Sequence, residues 1–441
     1  MISKHNKVVI LGGGIAGLSA GFKLVLDGIP VEIIEAEDEV GGLARTIEYK
    51  GFYFDLGGHR FFTEDKEIMD FVKGIMKDNL LHLKRKSEIW FNNHYLKYPL
   101  EIMDLFQKIE AKRFFKYVKD YLLRGSSKYH PLTFRDWVVG EFGEALYNDY
   151  FGPYTKKFWG IEPTEISADW ARERIPLIRA TDLLVDKFFS SHRSFIKHFY
   201  FPKRGIGEIA RRIAREIEKR GGKIICGGRV KEVVIENNRI IAVLSNKGYI
   251  EGDFFISTLP ITELVRFINN NEIISRSTQS INFRSLIILN ILIKGENINN
   301  NQWIYFPNPN ILFHRIQMPF NWSSLMVPEG KSSLSLEIAC KKGDNIYNLS
   351  TQDIFDRCIS DLKDIGFDIR DRVEDYFIVK VPWAYPIYKL GYEKSLNTIM
   401  GYLNNFTNLI LCGRSGLFKY NNLDQSIRMG LEVGKYLLGK R

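Results

Sequence analysis

Three glycines near the start of the chain have the spacing of a phosphate-binding turn. Gly12, Gly14 and Gly17 form the pattern G-x-G-x-x-G, with Ala16 inside it. Glycines at these positions permit a tight turn, close approach of the backbone to a pyrophosphate, and close packing of a helix on a strand. The chemistry predicted for Gly12, Gly14, Ala16 and Gly17 is therefore the binding of a dinucleotide.

The elements around this turn supply the context that the motif requires. The apolar run Val8–Leu11 predicts a strand buried on both faces, and residues 18–27, closed by Gly28, predict a helix. A second strand, Val31–Ile34, ends at Glu35, whose carboxylate can accept hydrogen bonds from a ribose hydroxyl. An ordinary strand-to-helix corner is the alternative for the glycines alone, and the strand–helix–strand order favours the nucleotide site.

A second glycine turn indicates which dinucleotide is bound. Gly41 and Gly42 are followed by Leu43 and, shortly after, by the cation Arg45, which suits the same pyrophosphate. This addition favours FAD, held permanently, over a nicotinamide dinucleotide that comes and goes. We expect Gly42, Leu43 and Arg45 to contact the cofactor.

A third turn presents a histidine. A strand at residues 52–56 leads into Gly57-Gly58-His59, and glycines beside a histidine let the backbone come close to a flat ligand. A core or surface histidine after an ordinary turn is the alternative. After the FAD signature, the turn predicts a neighbour of the flavin.

The chain is expected to end at the cofactor as well. Residues 409–414 predict another buried strand, and residues 424–438 predict a helix whose N-terminus would stabilise the anionic edge of a reduced flavin. The cofactor contacts predicted from these later parts of the chain are Val230, Gly413, Arg414, Asp424, Gln425 and Ser426.

Composition limits the classes of partner. The chain has 441 residues, and 62 Lys and Arg against 52 Asp and Glu give a net charge of +10. The charge is spread along the chain, and its densest patch, residues 108–128, alternates with aromatic residues as in a solvated helix face, with membrane docking as the alternative. A positive net charge could attract nucleic acid, an acidic membrane surface or an anionic small molecule, and we expect no nucleic acid partner.

The remaining composition favours a cytoplasmic protein without a metal. Cys226, Cys340, Cys358 and Cys412 lie far apart, so neither a disulfide framework nor a zinc site is expected. No apolar run is long enough to cross a bilayer, and the N-terminal apolar run is better explained as the first strand than as a signal peptide.

The predicted fold is of the α/β class, a Rossmann-like FAD-binding domain interleaved with a helical insertion and a mixed, largely antiparallel substrate sheet. The FAD-binding domain is expected at residues 1–80, 200–270 and 395–441. A mostly helical substrate domain is expected at 81–199, with a hairpin turning at Asn92-Asn93, and a strand-rich substrate domain at 271–394.

These residues carry a family resemblance. The three glycine turns resemble the superfamily of amine oxidases, phytoene desaturases, protoporphyrinogen oxidases and UDP-galactopyranose mutases. Four further stretches resemble the mutases in particular, and the resemblance spans nearly the whole chain. These stretches are residues 154–160, 172–174, 303–315 and 413–426.

The resemblance implies a reaction without net oxidation. In the mutases, nitrogen 5 of the reduced flavin attacks the anomeric carbon of a nucleotide-sugar, the diphosphate leaves, and the sugar recloses as a furanose before the diphosphate returns. By similarity, Arg174 and Arg315 stabilise the pyrophosphate and His59 lies against the flavin. By the same similarity, the substrate is bound by Tyr98, Tyr154, Trp159, Tyr305, Tyr385 and Tyr420.

Several alternatives stay open on the residues themselves. Arg174 could be a salt-bridged helix residue, and Tyr154 and Trp159 could be core aromatics. Gln425 stands where the mutases have a histidine, and Glu101 would suit guanine better than uracil. The resemblance implies a nucleotide-sugar substrate and an electron donor, and leaves open the base, the sugar and whether the protein is a homo-oligomer.

The alternative function is that of a true FAD oxidase or desaturase. A third interpretation, a flavin-binding protein without activity, gives His59, Arg174 and Arg315 no reason to coexist. A mutase needs buried arginines and tyrosines facing the flavin, whereas a desaturase needs an apolar tunnel.

Overall fold

The computed structural model describes residues 2–98, 102–124, 131–175, 196–268, 271–296 and 298–439. The strands are β1 (Val8–Leu11), β2 (Val31–Ile34), β3 (Thr46–Tyr49), β4 (Phe52–Asp55), β5 (Leu80–Lys84), β6 (Ser87–Phe91), β7 (His94–Lys97), β8 (His198–Pro202), β9 (Lys223–Ile225), β10 (Val230–Glu236), β11 (Arg239–Ser245), β12 (Gly248–Glu251), β13 (Phe254–Ser257), β14 (Phe283–Lys294), β15 (Trp303–Tyr305), β16 (Arg315–Gln317), β17 (Lys331–Cys340), β18 (Val373–Pro386) and β19 (Leu409–Leu411). The helices are α1 (Ile15–Leu26), α2 (Lys66–Met76), α3 (Ile102–Lys108), α4 (Ala111–Leu123), α5 (Phe134–Phe142), α6 (Glu144–Leu146), α7 (Gly152–Trp159), α8 (Ala168–Arg174), α9 (Gly207–Lys219), α10 (Ile261–Phe267), α11 (Glu272–Ser280), α12 (Thr351–Asp364), α13 (Tyr392–Leu403), α14 (Gly413–Gly416) and α15 (Leu423–Leu437).

A parallel five-stranded sheet of order β19-β13-β1-β2-β9 forms the centre of the nucleotide-binding part. β1 pairs in parallel with both β2 and β13, so Val8 lies beside Val31 on one side and Phe254 on the other. The helices α1, α9 and α15 contribute to the core on one face, and α10, α11 and α13 contribute to a second core with the antiparallel sheet β10-β11-β12. The predicted Rossmann-like arrangement is confirmed.

A seven-stranded sheet of order β18-β14-β17-β16-β15-β6-β7 forms the second part. Its neighbours are antiparallel except β15 and β6, which are parallel. The sheet is thus mixed and largely antiparallel, as predicted. The β6–β7 hairpin turns at Asn92 and Asn93, which both have positive φ, and it joins this sheet from within the predicted helical segment.

Helices cover this sheet. α12 lies within the segment expected to be strand-rich, and its apolar residues, including Ile354, Cys358 and Leu362, share a core with β14 and β17. The helices α5, α7 and α8 bury Trp137 and Trp159 against other residues of β14 and β18. The chain crosses between the two parts several times. The exact domain boundaries stay a prediction.

Two helices at the ends of the chain pack closely on each other. Gly430 of α15 lies against α1, where an added Cβ would clash with the carbonyl oxygen of Ala16 and lie 2.8 Å from Cβ of Ser19. Because α1 begins at the phosphate-binding turn, the packing of α15 on α1 helps to fix the position of that turn.

We expect Gly430→Ala to lower the free energy of unfolding by about 1–3 kcal/mol, because the extra methyl overpacks a helix contact. The matched control is Gly401→Ala in α13, where an added Cβ meets nothing within 4 Å. That change should be neutral or stabilise by up to about 1 kcal/mol, because alanine favours helix. Urea unfolding of both variants at fixed FAD concentration checks this, and equal effects would contradict close packing at Gly430.

Candidate active site

One cavity of about 1100 Å³ lies between the two parts of the molecule. The carboxyl ends of β1, β2, β13 and β19 open into it through Gly12, Glu35, Thr258 and Gly413. In open α/β sheets, ligands bind at this edge. The cavity is larger than most small-molecule pockets, which measure about 300–1000 Å³, so it has room for a dinucleotide and a second ligand.

The predicted dinucleotide contacts gather at one end of this cavity. Its lining includes Gly12, Gly14, Ala16, Glu35, Gly42, Leu43, Arg45, Val230, Gly413, Arg414 and Ser426. No described side chain caps the start of α1, so the N–H groups of its first turn are available to an anion.

The two glycine turns fit a pyrophosphate closely. Gly14 and Gly41 form a parallel bridge, and an added Cβ on Gly42 would lie 3.1 Å from the Cα of Gly14. The backbones therefore meet without room for side chains. The Glu35 carboxylate accepts hydrogen bonds from the N–H groups of Gly13 and Glu37 at 2.7 and 3.0 Å, and burial raises its pKa. The residues present fit FAD.

Four described residues that were predicted to contact the cofactor do not line the cavity, namely Gly17, Gly57, Asp424 and Gln425. At Gly17, an added Cβ would lie 3.2 Å from Cγ2 of Ile10, which fits the predicted close helix–strand packing. Asp424 is buried, and the side chain of Gln425 accepts a hydrogen bond from the Asn422 N–H as part of the cap of α15. At this helix the cavity is lined by Asn422, Leu423 and Ser426.

His59 faces the cavity as a neutral imidazole. Burial lowers the pKa of His59 to about 4, and its Nε2 lies 3.1 Å from the carbonyl oxygen of Leu56. A neutral ring in this position donates from Nε2 and keeps Nδ1 as an acceptor. The charge of Arg414 acts in the same direction as burial.

Arg315 is held by a carboxylate that the sequence analysis did not single out. Nε and Nη2 of Arg315 donate to Oε1 and Oε2 of Glu337, both at 2.7 Å, and Glu337 is fully buried in β17. Oε1 of Glu337 also accepts from the Gly58 N–H at 3.1 Å and from Gln317 at 2.6 Å. Burial alone would raise the pKa of Glu337, but the groups around it, Arg315 foremost, together lower the pKa.

Gly58 leaves room for this arginine. An added Cβ on Gly58 would lie 3.2 Å from Cζ of Arg315, and one on Gly57 would lie 3.5 Å from a carboxylate oxygen of Glu337. The glycine turn before His59 and the guanidinium therefore touch. At Gly58 the arginine leaves little room for a side chain, and at Gly57 a φ of +95° favours glycine.

A second arginine lies against a pair of stacked tyrosines. The rings of Tyr385 and Tyr420 are 5.3 Å apart and nearly parallel, and Cζ of Arg414 lies 4.7 and 4.3 Å from their centroids. Its guanidinium donates to the carbonyls of Asn421 and Ala384. Burial raises the pKa of Tyr385, so this phenol stays protonated and able to donate.

The other predicted substrate residues line the same cavity. Tyr98 and Tyr154 contact Tyr305 edge to face, with centroids 5.1 and 6.3 Å away, and Arg315 lies over the Tyr305 ring at 5.8 Å. Trp159 is 2% exposed and packs against Tyr385. Tyr98, Tyr154, Trp159, Tyr305, Arg315, Tyr385 and Tyr420 are thus brought together around one space.

Lys157 ties the helix of these aromatics to the strands that carry Tyr305 and Arg315. Its ammonium donates to the carbonyls of Phe306, Asn308 and Phe313 at 2.7, 2.8 and 2.7 Å. These carbonyls belong to the loop between β15 and β16. Lys157 was missed from the sequence, where a lysine on a helix is usually a surface residue.

Two expectations lie outside the described residues. Arg174 ends α8, but its side chain is not described, and Glu101 is not described at all. Their predicted roles stay predictions. The cavity also has cations that the sequence analysis passed over, Arg60 and Arg85. Two of the residues that were passed over had a signal in the sequence. Arg60 directly follows His59, and Glu337 is the one acidic residue of its strand.

A parallel sheet that presents two glycine turns, a carboxylate and helix N-termini to one cavity defines a dinucleotide-binding flavoprotein. The chain belongs to the flavin containing amine oxidoreductase family, whose model matches residues 15–413. FAD is its cofactor, and the protein is an enzyme of this flavin-dependent superfamily.

Individual relatives are more distant. The chain is 28% identical over 186 residues to dTDP-fucopyranose mutase of Escherichia coli, covering 39% of this chain and 46% of that protein. It is 23% identical over 392 residues to the chloroplastic prolycopene isomerase of Daucus carota, covering 76% and 58%. The chain thus spans about half the length of these curated relatives.

The fold is similar to that of a solved mutase. A crystal structure of reduced UDP-galactopyranose mutase superimposes with a TM-score of 0.85 at 22% identity, covering 98% of this chain and 96% of that one. This similarity establishes the shared fold. Within the part of the chain that the structure describes, no helix is long and apolar enough to span a membrane.

We expect the imidazole of His59 to titrate near pH 4, well below the ordinary value of about 6.5, with its proton on Nε2 between these values. Nitrogen-15 NMR of histidine-labelled protein, assigned with His59→Gln, checks this. Since the unfolded chain takes up this proton at a higher pH than the folded chain, lowering the pH from about 6.5 to about 4 should destabilise the fold through His59. Titration near 6.5 would contradict its burial.

We expect Glu337→Gln to lower the free energy of unfolding by roughly 3 kcal/mol, because Arg315 would keep its charge without a counter-ion. The matched control is Glu374→Gln, which breaks a surface pair with Lys331 and should cost less than about 1 kcal/mol. Denaturant unfolding at fixed FAD concentration measures both. A similar loss of unfolding free energy in the two variants would show that the buried pair stabilises the fold no more than the surface pair does.

Proposed function

We propose that this enzyme is a flavin-dependent nucleotide-sugar mutase that interconverts pyranose and furanose forms of UDP-galactose or a related nucleotide-sugar. The observation that carries the proposal is the polar wall of the cavity. Arg315, Tyr305 and Tyr385 face the space that begins at the dinucleotide turns. An oxidase or desaturase of apolar molecules would need an apolar tunnel in their place.

The wall suits a diphosphate that leaves and returns. Arg315 offers a permanent positive charge. The carboxylate of Glu337 accepts hydrogen bonds from Nε and Nη2 of Arg315, so Nη1 is the nitrogen that faces a phosphate oxygen. Tyr385 adds a neutral donor whose pKa burial raises. These groups hold the diphosphate beside the anomeric carbon while the bond between that carbon and the phosphate oxygen is broken and later re-formed.

The flavin-facing turn completes the site. When bound and reduced, FAD supplies the electron-rich centre that displaces the diphosphate, so the proposal includes a cellular electron donor. His59 stays neutral in this wall, which avoids a third positive charge beside Arg315 and Arg414. Tyr98, Tyr154 and Trp159 enclose the remaining ligand in aromatic surface and exclude water.

Similarity supports the same choice. The relatives named as mutases of dTDP-fucopyranose and UDP-galactopyranose act on nucleotide-sugars by their names, and the second has the same fold over nearly the full chain. Arg174 is proposed as a second arginine for the diphosphate on the resemblance alone. Oxidase or desaturase activity is the alternative outcome of the experiment below.

We expect dithionite-reduced protein to convert UDP-galactopyranose, or another sugar in a panel of UDP-, GDP- and dTDP-sugars, to its furanose isomer. Oxygen-18 placed between the anomeric carbon and the phosphate should scramble into the other phosphate positions, because that bond breaks reversibly. Liquid chromatography and phosphorus-31 NMR measure the two results. Arg315→Lys should retain bound FAD and lose about 100-fold or more in turnover, because lysine cannot reproduce the fork.

The control for this variant is Arg357→Lys on α12, where the arginine is exposed and pairs with Asp361. That change should leave turnover unaltered. Absence of isomerisation and scrambling over the whole panel, together with reduction of the oxidised flavin by an amine or a polyene, would overturn the mutase in favour of the oxidase or desaturase.

A further inference from the structure

The helix α4 presents an apolar stripe to solvent. Phe115, Val118 and Leu122 are all exposed, and Phe115 and Leu122 are so by 62% and 70%. Their spacing of three and four residues places them on one face of the helix. Met103 and Phe106 of the neighbouring helix α3 are exposed as well. Contiguous exposed apolar side chains of this kind are typical of an interaction surface.

The opposite face of α4 is fixed to the rest of the protein. Nε of Arg113 and the hydroxyl of Tyr117 donate to Oδ2 of Asp149 at 2.9 and 2.7 Å, and Tyr117 is buried. Oδ2 of Asp120 accepts a hydrogen bond from the Ala145 N–H at 2.9 Å. These bonds determine which side of the helix faces solvent, so the exposure of the apolar stripe follows from how α4 is held.

Lysines run beside this stripe. Lys112, Lys116 and Lys119 are exposed, and their spacing of four and three residues places them along one side of the helix. The sequence of α4 has four basic residues against one acid, Asp120, whose carboxylate is bonded to the backbone of Ala145. The outward side of α4 therefore combines apolar side chains with positive charge.

We propose that the outward side of α4, with its apolar stripe and its lysines, docks the protein on a bilayer that carries anionic phospholipids. A helix that lies in the plane of the interface buries its apolar stripe among the acyl chains, while its lysines reach the headgroup phosphates. The net charge of +10 attracts the whole protein to such a surface. None of the described residues of α3 and α4 lines the cavity, so this inference is independent of the proposed function.

A second copy of the chain fits this surface less well. In a two-fold contact centred on α4, the apolar stripe would meet its own copy, and lysines would face lysines. Like charges brought together in this way oppose association, and α4 has no acid besides Asp120 to balance them. Anionic headgroups complement the lysines instead. Self-association is therefore an alternative outcome of the test.

The test measures binding of the FAD-loaded full chain to sucrose-loaded vesicles by sedimentation. Vesicles of phosphatidylcholine alone are compared with vesicles in which about a third of the lipid is phosphatidylglycerol. At low salt, the wild type should partition at least about 10-fold more strongly to the anionic vesicles, because each lysine near such a surface strengthens binding about 5-fold. Raising the salt concentration to about 0.5 M should remove most of this preference, because salt screens the lysines.

One pair of variants tests the apolar stripe. Leu122→Gln should weaken partitioning to the anionic vesicles at least about 5-fold, because a large apolar side chain no longer enters the acyl region. The matched control is Ile273→Gln on α11, which removes an apolar side chain that is 67% exposed, compared with 70% for Leu122. Its partitioning should stay within about 2-fold of the wild type.

A second pair of variants tests the lysines. The triple change Lys112→Gln, Lys116→Gln and Lys119→Gln should abolish the preference for anionic vesicles. The control removes the same charge from exposed lysines elsewhere, through Lys231→Gln, Lys363→Gln and Lys394→Gln, and should keep most of the preference. Retained flavin absorbance reports that each variant is folded, and the wild-type comparison of the two kinds of vesicle stands without any variant.

Other results would overturn the inference. Equal partitioning of the wild type to neutral and anionic vesicles at low salt refutes the membrane surface. Equal weakening by Leu122→Gln and Ile273→Gln, or by the two triple changes, would show that α4 is not the contact. Analytical ultracentrifugation without lipid covers the remaining case. A dimer that Leu122→Gln dissociates, in a protein that binds no vesicles, would assign the surface to a second copy of the chain.

Discussion

The buried pair of Arg315 and Glu337 is the interaction on which the site depends. A carboxylate with no exposure is tolerated only when its charge and hydrogen-bonding capacity are met, and here Arg315, Gln317 and the Gly58 backbone meet them. These donors come from a strand of the large sheet and from the turn beside the nucleotide-binding part. Glu337 thus fixes the distance between the two halves of the cavity.

The interleaved chain path follows from the same requirement. A flavin site needs the carboxyl ends of a parallel sheet, whereas the ligand above it needs a separate wall of donors and aromatic rings. In this protein the wall is a largely antiparallel sheet whose strands β15, β16 and β17 carry Tyr305, Arg315 and Glu337. Because the chain crosses between the parts, neither wall can shift far without disturbing the other.

Electrostatics divides the cavity into zones. At the dinucleotide end, Glu35 and the glycine turns offer a carboxylate and backbone donors. In the middle, Arg315 is neutralised on one side by Glu337, and Arg414 lies against the rings of Tyr385 and Tyr420. At the far end, Arg60 and Arg85 share Trp303.

The sequence alone determined the nucleotide-binding part, because its signals are local. The strand Val8–Leu11, the glycine turn and the C-terminal helix follow from short-range backbone constraints and apolar periodicity, and their bounds agree with the structure within a few residues. The strand-rich segment at residues 271–394 was likewise predicted to form a largely antiparallel sheet. The helix α12 was missed although its sequence has a helical signal, with Ser350 as N-cap and Ile354, Cys358 and Leu362 on one buried face.

Only the tertiary structure decided which charges meet. Glu337 lies 22 residues from Arg315 and 279 from Gly58 along the chain, and Lys157 is about 150 residues from the carbonyls it binds. No periodicity encodes such pairings, because they depend on strand order and register. The residue types that could do chemistry were therefore readable from the sequence. Which partner positions or neutralises each of these residues was decided by the packing of the two parts around one cavity.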